Sequence, residues 1–78
     1  MATKTHKLKC SPIFFHAVEN RRKNFEVRKN DRKFKIGEIV ILQEYSEGEY
    51  TGESCRRVIH YILDDPEYCK EGYVILGF

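Results

Sequence analysis

The chain has 78 residues, 41% hydrophobic and 33% charged, enough for one small domain spanning 1–78 and too few for a second core. Its aromatic share of 13%, with no sustained heptad and no apolar run near the roughly 20 residues that span a bilayer, excludes coiled-coil, collagen-like and low-complexity chains and a transmembrane helix. Net charge is only +2, yet residues 21–35 hold eight basic against two acidic residues while 36–78 hold nine acidic against three basic, so the 21–35 segment attracts polyanions.

Met1 to Lys7 carries basic residues with no apolar stretch behind them, so no secretory signal is expected and the cytoplasm is the expected compartment. Residues 1–4 are expected to be disordered. His6-Lys7-Leu8-Lys9-Cys10 alternates and predicts a first strand with one buried face. Ser11-Pro12 predicts a helix start, with a hydroxyl at the N-cap and a proline where its missing N–H costs nothing. Ile13, Phe14, Ala17 and Val18 fall at helical spacing and are expected to face the core, with Phe15 and His16 toward the edge of that stripe. The helix is expected to end near Asn20 to Arg22.

Phe25-Glu26-Val27-Arg28 predicts a second strand, Phe25 and Val27 on one face, Glu26 and Arg28 on the other. Phe25 and Phe34 are expected in the core. Lys29 to Arg32 reads as a polar turn. Glu38 to Tyr45 is a third strand, apolar enough to suggest burial on both faces. Ser46 to Gly52 reads as a hairpin tip, Arg56 to Leu63 as the returning strand, and Tyr73 to Phe78 as the last. The order β-α-β-β-β-β predicts an α+β, mainly β fold: a small, partly open five-stranded β-barrel with one early α-helix closing an end. An open α+β sheet is the alternative.

Cys10, Cys55 and Cys69 are odd in number, form no CxxC pair and join no histidine at zinc-finger spacing. Three reduced, mostly buried thiols are expected, with no disulfide, metal or cofactor. His6, His16 and His60 sit at no recognisable nucleophile elbow, although a Cys10–His16 dyad is left open.

At Lys23-Asn24-Phe25-Glu26-Val27-Arg28 the chain resembles the ASCH domains, a branch of the PUA-like superfamily that carries G-x-K-x-x-E-x-R after its first helix. Lys23, Glu26 and Arg28 match the last three motif positions, and Arg21 stands where the family usually has glycine. The stretch from Phe25 to Glu38, the hairpin Glu49-Tyr50-Thr51-Gly52, Tyr61-Ile62-Leu63 and the ending Gly72-Tyr73-Val74-Ile75-Leu76 are similar to small bacterial and phage ASCH-like proteins, over nearly the whole chain. The resemblance implies a PUA-like β-barrel and RNA or a nucleotide as partner, with no membrane involved.

The residue chemistry of that segment suits a flat, charged ligand. Arg28 offers a bidentate fork and Lys23 a mobile point charge. Glu26 can hold both cations or accept from an amino group such as cytosine's. Arg21, Arg22, Lys29, Arg32, Lys33 and Lys35 would line the approach, Phe15 would stack on a base, and Tyr61 and Tyr73 would offer hydroxyls at the rim. The plain alternative is a structural ion-pair network tying helix to barrel. An enzyme is a second reading. The resemblance includes an amidohydrolase branch acting on an acetylated cytidine, whose lysine matches Lys23, but whose threonine nucleophile is replaced here by Glu26, so Lys23 and Glu26 would have to act by another mechanism. A third is a protein-interaction module presenting Glu44, Glu47, Glu49 and Glu53.

Overall fold

The computed structural model describes residues 4–78; the expected disorder of Met1 to Thr3 lies outside the described residues. Alternation in the first segment builds β1 (Thr5–Cys10), which buries His6, Leu8 and Cys10. Helix α1 (Pro12–Glu19) follows, then β2 (Phe25–Lys29), β3 (Ile39–Ser46), β4 (Glu49–Val58), β5 (Tyr61–Leu63) and β6 (Tyr73–Gly77). The result is an α+β fold, mostly strand, with one helix. It has six strands where five were expected.

The strands form two three-stranded sheets, β1-β3-β4 and β2-β6-β5. β1 runs parallel to β3, with Leu8 opposite Leu42, and the other pairings are antiparallel. The extra strand arises because the segment expected at 56–63 changes sheet. Ile59 still donates to Glu38 O at 2.9 Å and accepts from Gly37 N at 2.8 Å, whereas the next N–H, of His60, goes to Gly77 O at 2.8 Å. β4 also begins earlier than expected, because the hairpin turns on Glu47-Gly48 alone, with Ser46 opposite Glu49. Both turn residues have positive φ, 50° and 81°, the conformation whose twist suits a two-residue hairpin. Further along, Thr51-Gly52-Glu53 bulges out opposite Glu44 alone, with Gly52 at φ 95°.

Among the described residues no ladder joins the two sheets on the β1–β2 side. The side chains of Arg28 and Arg32 cross that seam instead, donating to Lys9 O and, at 2.9 Å, to Lys7 O. Two backbone acceptors on the edge of β1 are thereby satisfied by arginines.

The core lies between the sheets: Leu8, Val40, Leu42 and Cys55 from one, Val74 and Leu76 from the other, with Phe34 as expected. Helix α1 fills it with Phe15 and Val18, an i, i+3 pair. This corrects the expected phase. Phe15 is fully buried, whereas Ile13 is 80% exposed and Phe14 is exposed as well, so Phe15 has no surface on which a base could stack. Pro12 occupies the first turn as expected, but Ser11 makes no side-chain cap bond; only its carbonyl takes the Phe15 N–H, at 2.8 Å. Because Ile13 packs against so little, Ile13→Ser is expected to shift stability by less than about 0.5 kcal/mol, readable as an unchanged thermal midpoint.

Candidate functional site

Strand β2 is inside out. Phe25, expected in the core, and Val27 on the same face are 44% and 53% exposed, while Glu26 between them is buried to 5% exposure. Alternation forces the choice: one face must go in. Burying Phe25 and Val27 would be favourable by area alone, and burying a carboxylate costs several kcal/mol unless it is paired. The cations flanking Glu26 tip the balance. Lys23 Nζ pairs with Glu26 Oε1, and Arg28 donates to Glu26 Oε2 from Nε at 3.1 Å, with its Nη2 3.0 Å from the same oxygen as an ion pair.

The network is anchored to backbone. Lys23 Nζ also donates to Phe25 O at 2.8 Å, and Arg28 Nη2 reaches Lys9 O. Glu26 thus accepts two hydrogen bonds of the roughly four its oxygens can take, with Arg28 Nη2 close by as a charge. Arg28 is in part a strut across the β1–β2 seam. Lys23 stands over two rings, its Nζ 5.1 Å from the centre of Phe14 and 4.9 Å from that of Phe25. A hollow of about 290 Å³ opens there, lined by Phe14, Lys23, Phe25, Glu26 and Val27. It has aromatic walls with an ion pair beside them. A larger hollow, about 430 Å³, lies beyond Val27 among Tyr68, Cys69, Lys70, Tyr73 and Ile75, but holds no carboxylate and, of the cations, only Lys70.

Phe14 and Phe25 are therefore the exposed aromatics beside the motif, in place of Phe15. The signal that could have found them is the motif itself, since a buried Glu26 requires its neighbours to face out. The remaining basic residues scatter. Arg21 borders a separate hollow, considered below. Arg32 and Lys33 line another, of about 350 Å³, with Lys4 and Thr5. Arg22, Lys29 and Lys35 are exposed and line none of these hollows. Tyr61 is exposed on β5, and Tyr73 belongs to the larger hollow.

Two further carboxylates are buried or nearly so. Glu44, expected on an acidic surface, is buried and accepts from Thr51 Oγ1 at 2.7 Å, with His16 Nε2 3.0 Å from its other oxygen. Both partners converge on the glutamate, so this is a brace between α1 and the β3–β4 hairpin. Glu38 lies 2.8 Å from the buried ring nitrogen of His6 and accepts the Lys35 N–H at 2.9 Å.

Cys10, Cys55 and Cys69 are free and buried. Burial pushes the Cys10 thiol up to about 11, and the charge of Glu26 adds to the push against Arg28 and Lys23. A raised thiol beside a carboxylate is a poor nucleophile. In the folded chain Cys10 is expected to resist alkylation at pH values up to about 9, where the unfolded chain reacts at all three thiols; mass spectrometry of iodoacetamide-treated protein with and without denaturant reads the difference. Among the described residues no group of three or more His, Cys, Asp or Glu could hold a metal ion, and no helix is long and apolar enough to cross a membrane.

Residues 5–78 match the family model described as "Domain of unknown function (DUF3850)". The chain is also 33% identical over 76 residues to the "Uncharacterized 12.9 kDa protein in GpA 3'region" of Escherichia phage P2, an alignment covering 97% of this chain and 69% of that protein. A match over the full run of strands, from β1 through β6, decides the assignment: the chain belongs to the DUF3850 family.

Proposed function

We propose that this DUF3850 chain is an ASCH-like RNA- or nucleotide-binding module, and that the base sits in the aromatic hollow beside Lys23 and Glu26. The observation that carries the reading is the inverted strand β2. A fold that buries Glu26 and turns Phe25 and Val27 outward gives up apolar burial, and such departures from the best local packing gather at functional sites. Two exposed rings with an ammonium between them suit a flat heterocycle, because base–aromatic stacking contributes about 1–3 kcal/mol per base. A buried carboxylate with acceptor positions left over suits an amino group at the ring's edge. The K-x-x-E-x-R spacing after a short helix supports the ASCH resemblance. On this reading the two sheets form a PUA-like barrel closed by the Arg28 and Arg32 side chains in place of a ladder, with β4 running on into β5 at the far seam.

The test uses a fluorescent single-stranded oligoribonucleotide and free cytidine monophosphate. Wild-type protein is expected to bind the oligonucleotide at low ionic strength, with affinity falling by about 0.7 log units per phosphate contact for each tenfold rise in salt. Phe14→Ala combined with Phe25→Ala is expected to weaken binding of both ligands at least tenfold, by loss of stacking, while the thermal midpoint moves little because both rings are exposed. If the double variant binds both as well as wild type, the base is not in this hollow.

A further inference from the structure

A different hollow, of about 280 Å³, opens where α1 ends, β2 begins and β4 crosses into β5. Arg21, Asn24, Arg56, Arg57 and His60 border it together with the last residues of β4 and the end of β6. No aspartate or glutamate lines it. Among the described residues, none of its three arginines forms an ion pair with any carboxylate, although the chain contains 12 acidic side chains. The cations at Glu26 behave in the opposite way, each being paired. Like charges gathered without a counter-charge repel one another, and a fold tolerates this where an outside anion completes the site.

One of the three guanidinium groups is also held in place. Arg57 donates from Nη1 to Arg56 O at 2.8 Å and from Nη2 to Val18 O at 3.1 Å, so two backbone carbonyls fix the plane of its guanidinium. Val18 O also takes the Arg21 N–H at 3.0 Å, which ties Arg21 to the same point at the helix end. Arg21 adopts the left-handed conformation, φ 67°, with Asn24 Nδ2 donating to its carbonyl at 3.3 Å. This is the position where the ASCH motif usually has glycine, so here the left-handed backbone comes with a guanidinium attached. Fixed, unpaired guanidinium groups are the arrangement that recognises tetrahedral oxyanions, since the planar fork matches two oxygens at once.

We propose that this hollow is a phosphate-binding site in which Arg21, Arg56 and Arg57 take the oxyanion and Asn24 and His60 donate at its rim. The site stands without the base-binding reading, because it uses neither Lys23, Glu26 nor Arg28. It also bears on that reading. Asn24 lies between Lys23 and Phe25 in the chain, so the two hollows flank one three-residue segment, and a polynucleotide crossing the start of β2 meets both.

The full chain, isotope-labelled, is titrated with inorganic phosphate at constant ionic strength, with chloride as the reference anion. The proposal expects saturable shifts in the amides of 20–24 and 56–60 and in the arginine Nε–H signals, with phosphate and not with chloride. Arg21→Asn with Arg56→Gln is expected to weaken phosphate binding roughly tenfold to hundredfold, by loss of charge-assisted bonds. Arg21→Asn keeps a residue that tolerates positive φ, and Arg57 is left to hold Val18 O. Lys29→Gln with Lys35→Gln removes the same net charge and is expected to leave binding unchanged. Competition by a single-stranded oligoribonucleotide makes a polynucleotide phosphodiester the source of the oxyanion; saturable phosphate binding without competition makes it a small phosphorylated molecule. Absence of saturable phosphate shifts, or equal affinity in the Arg21/Arg56 variant, overturns the site.

Discussion

Arg28→Ala is expected to destabilise the chain by about 3 kcal/mol, the cost of leaving one partner of a buried ion pair alone. For a domain of this size that is a fall of roughly 12–24 °C in the thermal midpoint. Three losses coincide. Glu26 Oε2 loses its bond from Arg28 Nε at 3.1 Å and the guanidinium charge at 3.0 Å, on a carboxylate that is only 5% exposed. Lys9 O loses its donor. The β1–β2 seam, which no ladder closes, keeps only the Arg32 bond to Lys7 O. Lys23→Ala should cost less, about 1–2 kcal/mol, because Glu26 then still holds Arg28. Thermal unfolding followed by circular dichroism ranks the two. A fall of less than about 4 °C for Arg28→Ala would show that the network is not what holds β2 in its inverted register. The same arithmetic governs the choice of binding mutants. A variant that loses Lys23 and Arg28 together mixes folding with recognition, whereas Phe14 and Phe25 can be removed without opening the core.

Where local pattern decides, the chain is legible. Alternation in 6–10 places His6, Leu8 and Cys10 inward, Ser11-Pro12 starts the helix at the right residue, and the apolar runs at 39–45 and 73–77 become strands. The grouping of Lys23, Glu26 and Arg28 is also legible, being set by spacing of three and two residues across the start of a strand. The failures share a cause, which is that periodicity gives the faces of an element and leaves their direction open. In β2 the apolar pair and the charged pair alternate cleanly, and only the reach of Lys23 and Arg28 toward Glu26 settles which goes in. In α1 five of the eight residues are apolar counting Ala17, so several stripes are possible. The one containing Phe15 and Val18 wins because it fills the space between Leu8, Leu42 and Leu76. The hairpin tip expected over Ser46 to Gly52 contains the turn, Glu47-Gly48, but is drawn too long, because Gly52 sits in a bulge of the returning strand. The arginine hollow was beyond reach of any local pattern. It joins residues 21 and 24 to 56, 57 and 60, and depends on where β4 leaves its sheet.

Replacing all three charged groups at once, Lys23→Met, Glu26→Leu and Arg28→Met, is expected to return most of the stability that Arg28→Ala removes. The net worth of a buried ion pair against apolar residues of similar volume is near zero, and the apolar set is often the more stable by about 1–4 kcal/mol. The Lys9 O and Phe25 O bonds stay unreplaced, at about 1 kcal/mol each, and both acceptors are within reach of water. The triple variant should therefore melt close to wild type, well above Arg28→Ala, with the strongly non-additive energies of residues that share a network. Its ligand binding should follow the opposite course. The hollow keeps both rings and gains apolar wall, but it loses the ammonium over Phe14 and Phe25 and the Glu26 carboxylate from its lining. Cytidine monophosphate is then expected to bind at least tenfold more weakly than to wild type, with phosphate uptake at the arginine hollow intact. A stable triple variant that still binds cytidine monophosphate at wild-type affinity would leave the ion pairs a purely structural device. A triple variant as unstable as Arg28→Ala would mean that the charges specify the fold of β2 itself, a role for which the inverted strand is the physical reason.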